Sequence, residues 1–179
     1  RALVTAGANL LLRMFIHPLP ITVGCTGHAL AAGAILLLSA DTRIGARGDF
    51  KIGLNEVTIG MPLPIFAYEL ARERLSKRHL ARATFQAELY DPDGAVDAGF
   101  LDRVCEPGAL EETALAESRR LASLPQPAYG RTKAGLRLLA THDHFEPASD
   151  ATESVFRAFG ADPLYARLCK AQECFRARL

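Results

Sequence analysis

The chain has 179 residues, 49% of them hydrophobic, enough to bury one sizeable core. Its net charge of +1 leaves no electrostatic footprint for nucleic acid or an anionic membrane. The longest apolar run, about residues 29–38, is only about half of a membrane span and reads as a buried helix.

The opening residues, RALVTAGANLLLR, read as an amphipathic helix and not as a secretory signal. Cys25, Cys105, Cys169 and Cys174 show neither C-x-x-C nor zinc spacing; Cys25 and Cys105 lie in apolar strand-like tracts and read as core thiols, and a reducing cytoplasm or organelle matrix is expected.

Taken in order, residues 2–16 carry apolar positions at helical spacing: Leu3, Ala6, Leu10, Leu11, Met14 and Phe15. His17-Pro18 and Pro20 end that helix. Residues 21–25 read as a short parallel strand buried on both faces. A turn of small residues follows over 27–33, then an apolar helix over about 32–40 that stops near Asp41. Residues 42–46 form the next strand, 47–49 a turn, and 50–52 a strand that runs into the Glu56 segment. Gly60-Met61-Pro62-Leu63-Pro64 breaks the chain before a helix over 65–74. Ser76 is a candidate N-cap for a helix over 77–86. Asp91-Pro92 opens another helix, which Gly99 closes.

Residues 107–124 form an amphipathic helix with Leu110, Ala114, Leu115 and Leu121 toward the core. Pro125-Gln126-Pro127 breaks it, dividing the chain into 1–124 and a helical region over 125–179. That region contains helices over 129–140, 149–159 and 163–178.

Two features carry chemistry. The first is the start of the apolar helix at Ala32. A helix N-terminus leaves backbone N–H groups unpaired and carries the positive end of the helix dipole. Small residues let a ligand oxygen approach those groups, so the turn suits an oxyanion; on spacing alone tight packing of the core helix is the better reading. The second is Glu56, flanked by Ile52, Leu54, Val57 and Ile59. A carboxyl in apolar surroundings is a candidate general base, although composition alone fits an exposed strand-end acid as well.

The ordered set Gly27, Ala29, Ala31-Ala32-Gly33, Asp41, Gly53, Glu56, Gly60 and Pro62 resembles the crotonase superfamily, the enoyl-CoA hydratase/isomerase family. The tract Ile52-Gly53-Leu54-Asn55-Glu56 is most similar to its 3,2-enoyl-CoA isomerase branch. The passage 95–104 and the tail over 154–163 also resemble family segments, the tail being closer to the isomerases than to the hydratases. The resemblance implies an α/β fold, a stacked ββα spiral with a C-terminal helical oligomerisation region. It further implies an N-terminal portion absent from this chain, which would hold a second oxyanion donor and part of the CoA adenine pocket.

For the site, the resemblance makes Glu56 the base and the Ala32 N–H an oxyanion donor, with Ala29, Gly33, Ile35 and Pro62 around the substrate. Hydratases of the family place a second glutamate two residues beyond the last glycine of the turn; here that position is Ile35, which cannot hold water. Isomerisation of a 3-enoyl-CoA is therefore expected. Hydration of a 2-enoyl-CoA is the alternative, and a non-catalytic acyl-CoA-binding homologue a third. No metal or redox cofactor is expected, since the CoA thioester is the activating group. The partners implied are acyl-CoA and further copies of the chain, as a trimer or dimer of trimers.

The remaining candidates are weaker. His28 fits a packing or hydrogen-bonding role better than catalysis. His142 and His144 make an H-x-H without further clustered ligands. Arg176 and Arg178 read as a solvated helix end, with contact to CoA phosphates as the other reading.

Overall fold

In the computed structural model, which describes residues 2–142, helices enclose two small parallel sheets. The order is α1 (Ala2–Ile16), β1 (Thr22–Cys25), β2 (Ala29–Leu30), α2 (Ala32–Ser39), β3 (Thr42–Ala46) and β4 (Ile52–Gly53). A 3-10 helix at Glu56–Ile59 leads to α3 (Ile65–Arg74), α4 (Leu80–Ala83), α5 (Pro92–Ala98) and β5 (Arg103–Cys105). A second 3-10 helix at Pro107–Ala109 runs into α6 (Leu110–Ala122), and α7 (Gln126–His142) follows. One sheet has the order β1-β3-β5 and the other is β2-β4; all named strand pairs are parallel. This is the α/β arrangement expected from the sequence.

The core forms around α2. Its residues are apolar almost all round, so it has no solvent face to offer and is buried. Ala34, Ile35, Leu37 and Leu38 pack in one cluster with Leu11 and Phe15 of α1, Leu70 and Ala71 of α3, and Phe100 and Leu101 before β5. Ser39 is buried too, and its hydroxyl donates back to Leu36 O at 2.7 Å. Burying each large side chain of such a cluster contributes roughly 1.5–3 kcal/mol.

Local capping chemistry matches the sequence at α5. Asp91 accepts from Gly94 N–H at 2.7 Å, and Pro92 occupies the first turn where no N–H is needed. Gly99 ends the helix at φ 95°, and a Cβ there would come within 2.7 Å of Arg74 O.

Five expectations are corrected. In α1 the buried stripe is Ala8, Leu11 and Phe15, while Ala6 and Leu10 face solvent. Among the described residues β1 pairs on one side only, and of its own residues only Cys25 is buried. Ser76 caps no long helix: its carbonyl accepts from His79 N–H at 2.9 Å and α4 begins at Leu80. Leu115 of α6 is exposed. Finally, Pro127 lies inside the first turn of α7, which starts at Gln126 and not after the second proline.

Ion pairs tie the elements together. Buried Arg43 of β3 makes a two-pronged contact with Asp102 at 3.0 and 2.6 Å. Burial works against the Asp102 carboxylate, but the Arg43 hydrogen bonds and charge prevail and hold its pKa below the ordinary value. Asp41 is bound still more fully. It accepts from Ile21 N–H at 2.7 Å and Lys133 Nζ at 2.6 Å, and pairs with Arg137 at 2.8 Å. Lys133 and Arg137 also bind Leu19 O and Phe15 O, which docks α7 on α1. Arg74 donates to Ala40 O and Asp41 O at 2.9 and 3.2 Å. Burial and the neighbouring arginine charges lower its pKa to about 10.

The helices expected over 149–159 and 163–178, Cys169, Cys174, His144, Arg176 and Arg178 lie outside the described residues.

Candidate active site

The site is built on the shorter sheet. β2 and β4 pair Ala29 with Ile52 and Leu30 with Gly53. The ladder continues one bond further, where Ala31 N–H donates to Gly53 O at 3.1 Å. One step beyond Ala31, α2 begins; three steps beyond Gly53 stands Glu56. Two remote stretches of sequence thus leave one ladder side by side, one carrying a helix N-terminus and the other an acid.

At the helix end, Ile35 N–H donates to Ala31 O at 3.0 Å, the first bond of α2. The N–H groups of Ala32, Gly33 and Ala34 belong to the first turn, which has no partner within a helix. Ala32 and Gly33 are exposed residues at this helix end. The turn needs Ala31 at φ 49° and ψ −116°, a region that L-residues rarely occupy. The positive φ therefore falls on Ala31, while Ala32 lies in the helix and offers its N–H. Gly33 is less constrained: a Cβ there would meet Ala29 Cβ at 3.8 Å, an ordinary contact.

At the acid end, Leu54 is buried and Asn55 turns the chain, so that Glu56 opens the 3-10 helix and is not the end of a strand. Its residue exposure is 6%, and Oε2 is buried without a hydrogen-bond partner among the described residues. Native proteins rarely leave such a group unpaired, which makes it a functional candidate. The Glu56 backbone is held firmly, its carbonyl accepting from Met61 N–H at 3.0 Å. That bond folds the exposed Pro62 loop back onto the acid, with Gly60 turning at φ 73°. Val57, Ile59 and Met61 are exposed apolar side chains on the same short stretch.

Of the residues singled out from sequence, Ala29, Ala32, Gly33, Glu56 and Pro62 converge through this ladder and loop. Ile35 lies one turn into α2 and is buried in the main core cluster with Ala29, Ile52 and Leu54. His28 has the supporting role expected: its Nδ1 accepts from Lys51 N–H at 2.9 Å and its ring stands edge-on to Phe50. Two contributors escaped notice as site residues. Gly53 leaves room for the backbone beside it, since a Cβ would come within 2.9 Å of Glu88 O and Leu89 Cδ2. Tyr90 exchanges two backbone bonds with Ile52, both at 2.9 Å, adding a third segment to the β2-β4 pair. The strand glycine was a visible signal for the first; nothing local marked the second.

Among the described residues no group of three His, Cys, Asp or Glu could hold a metal, and no helix is long and apolar enough to cross a membrane. A cavity of about 560 Å³ borders Asp41, Arg74, Tyr129, Lys133 and Arg137. It lies toward the opposite end of α2, about 12 Å from Ala32 along an eight-residue helix. There Asp41 is paired with Lys133 and Arg137, whereas Glu56 Oε2 has no partner among the described residues.

The chain is similar to known proteins in sequence and in fold. The family model described as enoyl-CoA hydratase/isomerase matches residues 3–163. A solved enoyl-CoA hydratase/isomerase family protein from Pseudomonas syringae is 43% identical with a TM-score of 0.78, over 88% of this chain and 65% of that one. Human mitochondrial enoyl-CoA delta isomerase 1 is 28% identical over 152 residues, 84% of this chain and 50% of the human protein. A probable enoyl-CoA hydratase from Mycobacterium avium is 29% identical over 119 residues, 66% of this chain and 46% of its own length. The chain thus spans about half the length of these two curated relatives.

Proposed function

This chain belongs to the enoyl-CoA hydratase/isomerase family, and we propose that it moves the double bond of a 3-enoyl-CoA to give trans-2-enoyl-CoA. The observation that carries the proposal is Glu56: a buried acid with an unpartnered oxygen, next to exposed apolar side chains and an open helix N-terminus. The thioester oxygen accepts a hydrogen bond from Ala32 N–H. Glu56 removes a proton from C2, and the electrons spread through C1 to that oxygen and across C3 and C4. The helix dipole and the N–H stabilise the dienolate as its charge develops. The carboxyl then returns the proton to C4, and the double bond remains between C2 and C3. Val57, Ile59 and Met61 give an acyl chain an apolar wall. The thioester supplies the activation, so the reading calls for no metal or redox group. The protein would act as a homotrimer or dimer of trimers in the cytoplasm or an organelle matrix.

Hydration of a 2-enoyl-CoA is the second reading, favoured by the name of the mycobacterial relative. Ile35 argues against it, because a buried butyl group holds no water one turn from the oxyanion donor. The test is to supply 3-enoyl-CoA and 2-enoyl-CoA separately and resolve the products by mass and retention. We expect isomerised product to exceed 3-hydroxyacyl-CoA by at least about 100-fold, the scale of one positioned acid–base group. Ile35→Glu should narrow that ratio. A parent protein that makes mostly 3-hydroxyacyl-CoA would transfer the assignment to the hydratases.

A further inference from the structure

Away from the reacting groups, three polar side chains form a line that ends on the site's scaffold. His79, just before α4, is 7% exposed. Its Nε2 lies 3.1 Å from Asp97 Oδ2 on α5, and its Nδ1 lies 3.3 Å from the hydroxyl of Tyr90. Arg78 holds the same Asp97 carboxylate at 2.5 and 2.6 Å. A carboxylate only accepts hydrogen bonds, so Nε2 donates to Asp97, and Nδ1 shares its hydrogen bond with the Tyr90 hydroxyl. Burial, with the Glu88 carboxylate nearby, raises the Tyr90 pKa, so the phenol stays protonated at neutral pH.

Tyr90 matters because of what its backbone holds. β2 and β4 have two residues each, too short to be stable as an isolated pair. The two bonds between Tyr90 and Ile52 give that pair its third segment. Glu88 and Leu89, just before Tyr90, lie flush against Gly53, where even a methyl group has no room. Gly53 in turn accepts from Ala31 N–H and leads to Glu56. The segment 84–90 is irregular backbone with Ala87 at φ 53°; it is tied back to α4 through Glu88 N–H, which donates to Arg82 O at 2.9 Å, and it meets β4 through Tyr90.

We propose that His79 is a positioning residue: through the Tyr90 hydroxyl it seats residues 88–90 against Ile52 and Gly53, and so sets the Ala32 N–H and Glu56 relative to each other. This rests on the isomerase reading of the site. Its consequence is that the His79–Tyr90 contact governs turnover far more than substrate binding. A misplacement of about 1 Å in a reacting group can lower turnover by about 100-fold.

The experiment uses Tyr90→Phe, His79→Leu, His79→Asn and the Tyr90→Phe/His79→Leu double variant. Asparagine keeps a polar atom near the position of Nδ1. We expect Tyr90→Phe and His79→Leu each to lower kcat by about tenfold or more with KM little changed. The double variant should be no worse than the poorer single one, and His79→Asn should recover part of the loss. Amide hydrogen exchange gives a readout independent of activity: the Ala31 and Ile52 amides should exchange faster in both single variants, with Ile44 in β3 unchanged. Unchanged exchange at Ala31 and Ile52 in Tyr90→Phe overturns the proposal even if the substrate assignment is wrong. So does a double variant whose losses multiply. Should His79→Leu not fold, Tyr90→Phe and His79→Asn decide the matter alone.

Discussion

Asp41 and Glu56 are both acids set against the same apolar core, and the structure treats them in opposite ways. Asp41, at the C-terminal end of α2, is bound by Ile21 N–H, Lys133 and Arg137. Glu56, on the arm beside the N-terminal end of α2, leaves Oε2 buried and unpartnered. A buried charge is tolerated when every lone pair has a donor, and then it fixes geometry. A buried carboxyl oxygen without a donor costs stability, and a fold retains it where the group must meet something else. One acid joins α1, the β1 approach and α7; the other keeps an oxygen with no partner among the described residues.

The same isosteric change at both positions tests this contrast. Asp41→Asn keeps the shape but removes the charge and turns an amide N–H₂ toward cationic donors. It should lower stability by about 3–5 kcal/mol, as expected when one partner of a buried ion pair is lost. The urea midpoint should fall accordingly. A loss below about 1 kcal/mol would place Asp41 among weak surface pairs and remove the contrast.

Glu56→Gln should do the reverse. No ion pair is broken, so the urea midpoint should move by the equivalent of less than about 1 kcal/mol. Turnover of 3-enoyl-CoA should fall by about 100-fold or more, since the amide cannot take a proton. Acyl-CoA binding, followed by titration calorimetry, should persist. Parent-like turnover would exclude Glu56 as the base, and a large stability loss would make it a second Asp41.

From sequence, these two acids look alike: each stands alone at the edge of an apolar stretch. Their difference is a matter of long-range partners. Lys133 reaches Asp41 across 92 residues, a separation that no local pattern announces. What is encoded locally was legible. The boundaries of α1, β3 and α3 follow from apolar spacing and from proline breaks, and the caps of α5 from Asp91, Pro92 and Gly99. The pairing of the helix start with Glu56 was legible only through the ordered residues shared with a family. Spacing alone favoured packing over an oxyanion role at Ala32. The failures share one cause. Leu10, Leu115 and the outer face of β1 were assigned to the core by residue type, but which face packs depends on neighbours that arrive later in the chain. Composition left Glu56 open between a strand-end acid and a base, and Asn55 redirects the chain into a 3-10 helix that Glu56 opens.

The smallest expected effects come from the turn itself, where sequence treats Ala31, Ala32 and Gly33 as three interchangeable small residues. The backbone distinguishes them. Ala31 sits at φ 49° and ψ −116°, where a Cβ is unfavourable and glycine is not. Ala31→Gly should therefore raise stability by about 1 kcal/mol, the low end of such strain, less the entropy glycine loses on folding. Gly33 lies in the first turn of α2 with only Ala29 Cβ near its missing methyl, at 3.8 Å. Gly33→Ala should be neutral or stabilising by up to about 1 kcal/mol, through helix propensity and a less flexible unfolded chain. At this chain length each kcal/mol corresponds to a Tm change of about 2–4 °C, which scanning calorimetry resolves. The two variants also separate fold from chemistry, since the Ala32 N–H remains in both. Ala31→Gly should leave turnover near the parent value. A loss of turnover in Gly33→Ala with an unchanged Tm would show that substrate passes over residue 33, a role that packing within the chain does not demand. A fall in Tm for Ala31→Gly would mean that the strain at Ala31 is outweighed by what its methyl group packs against.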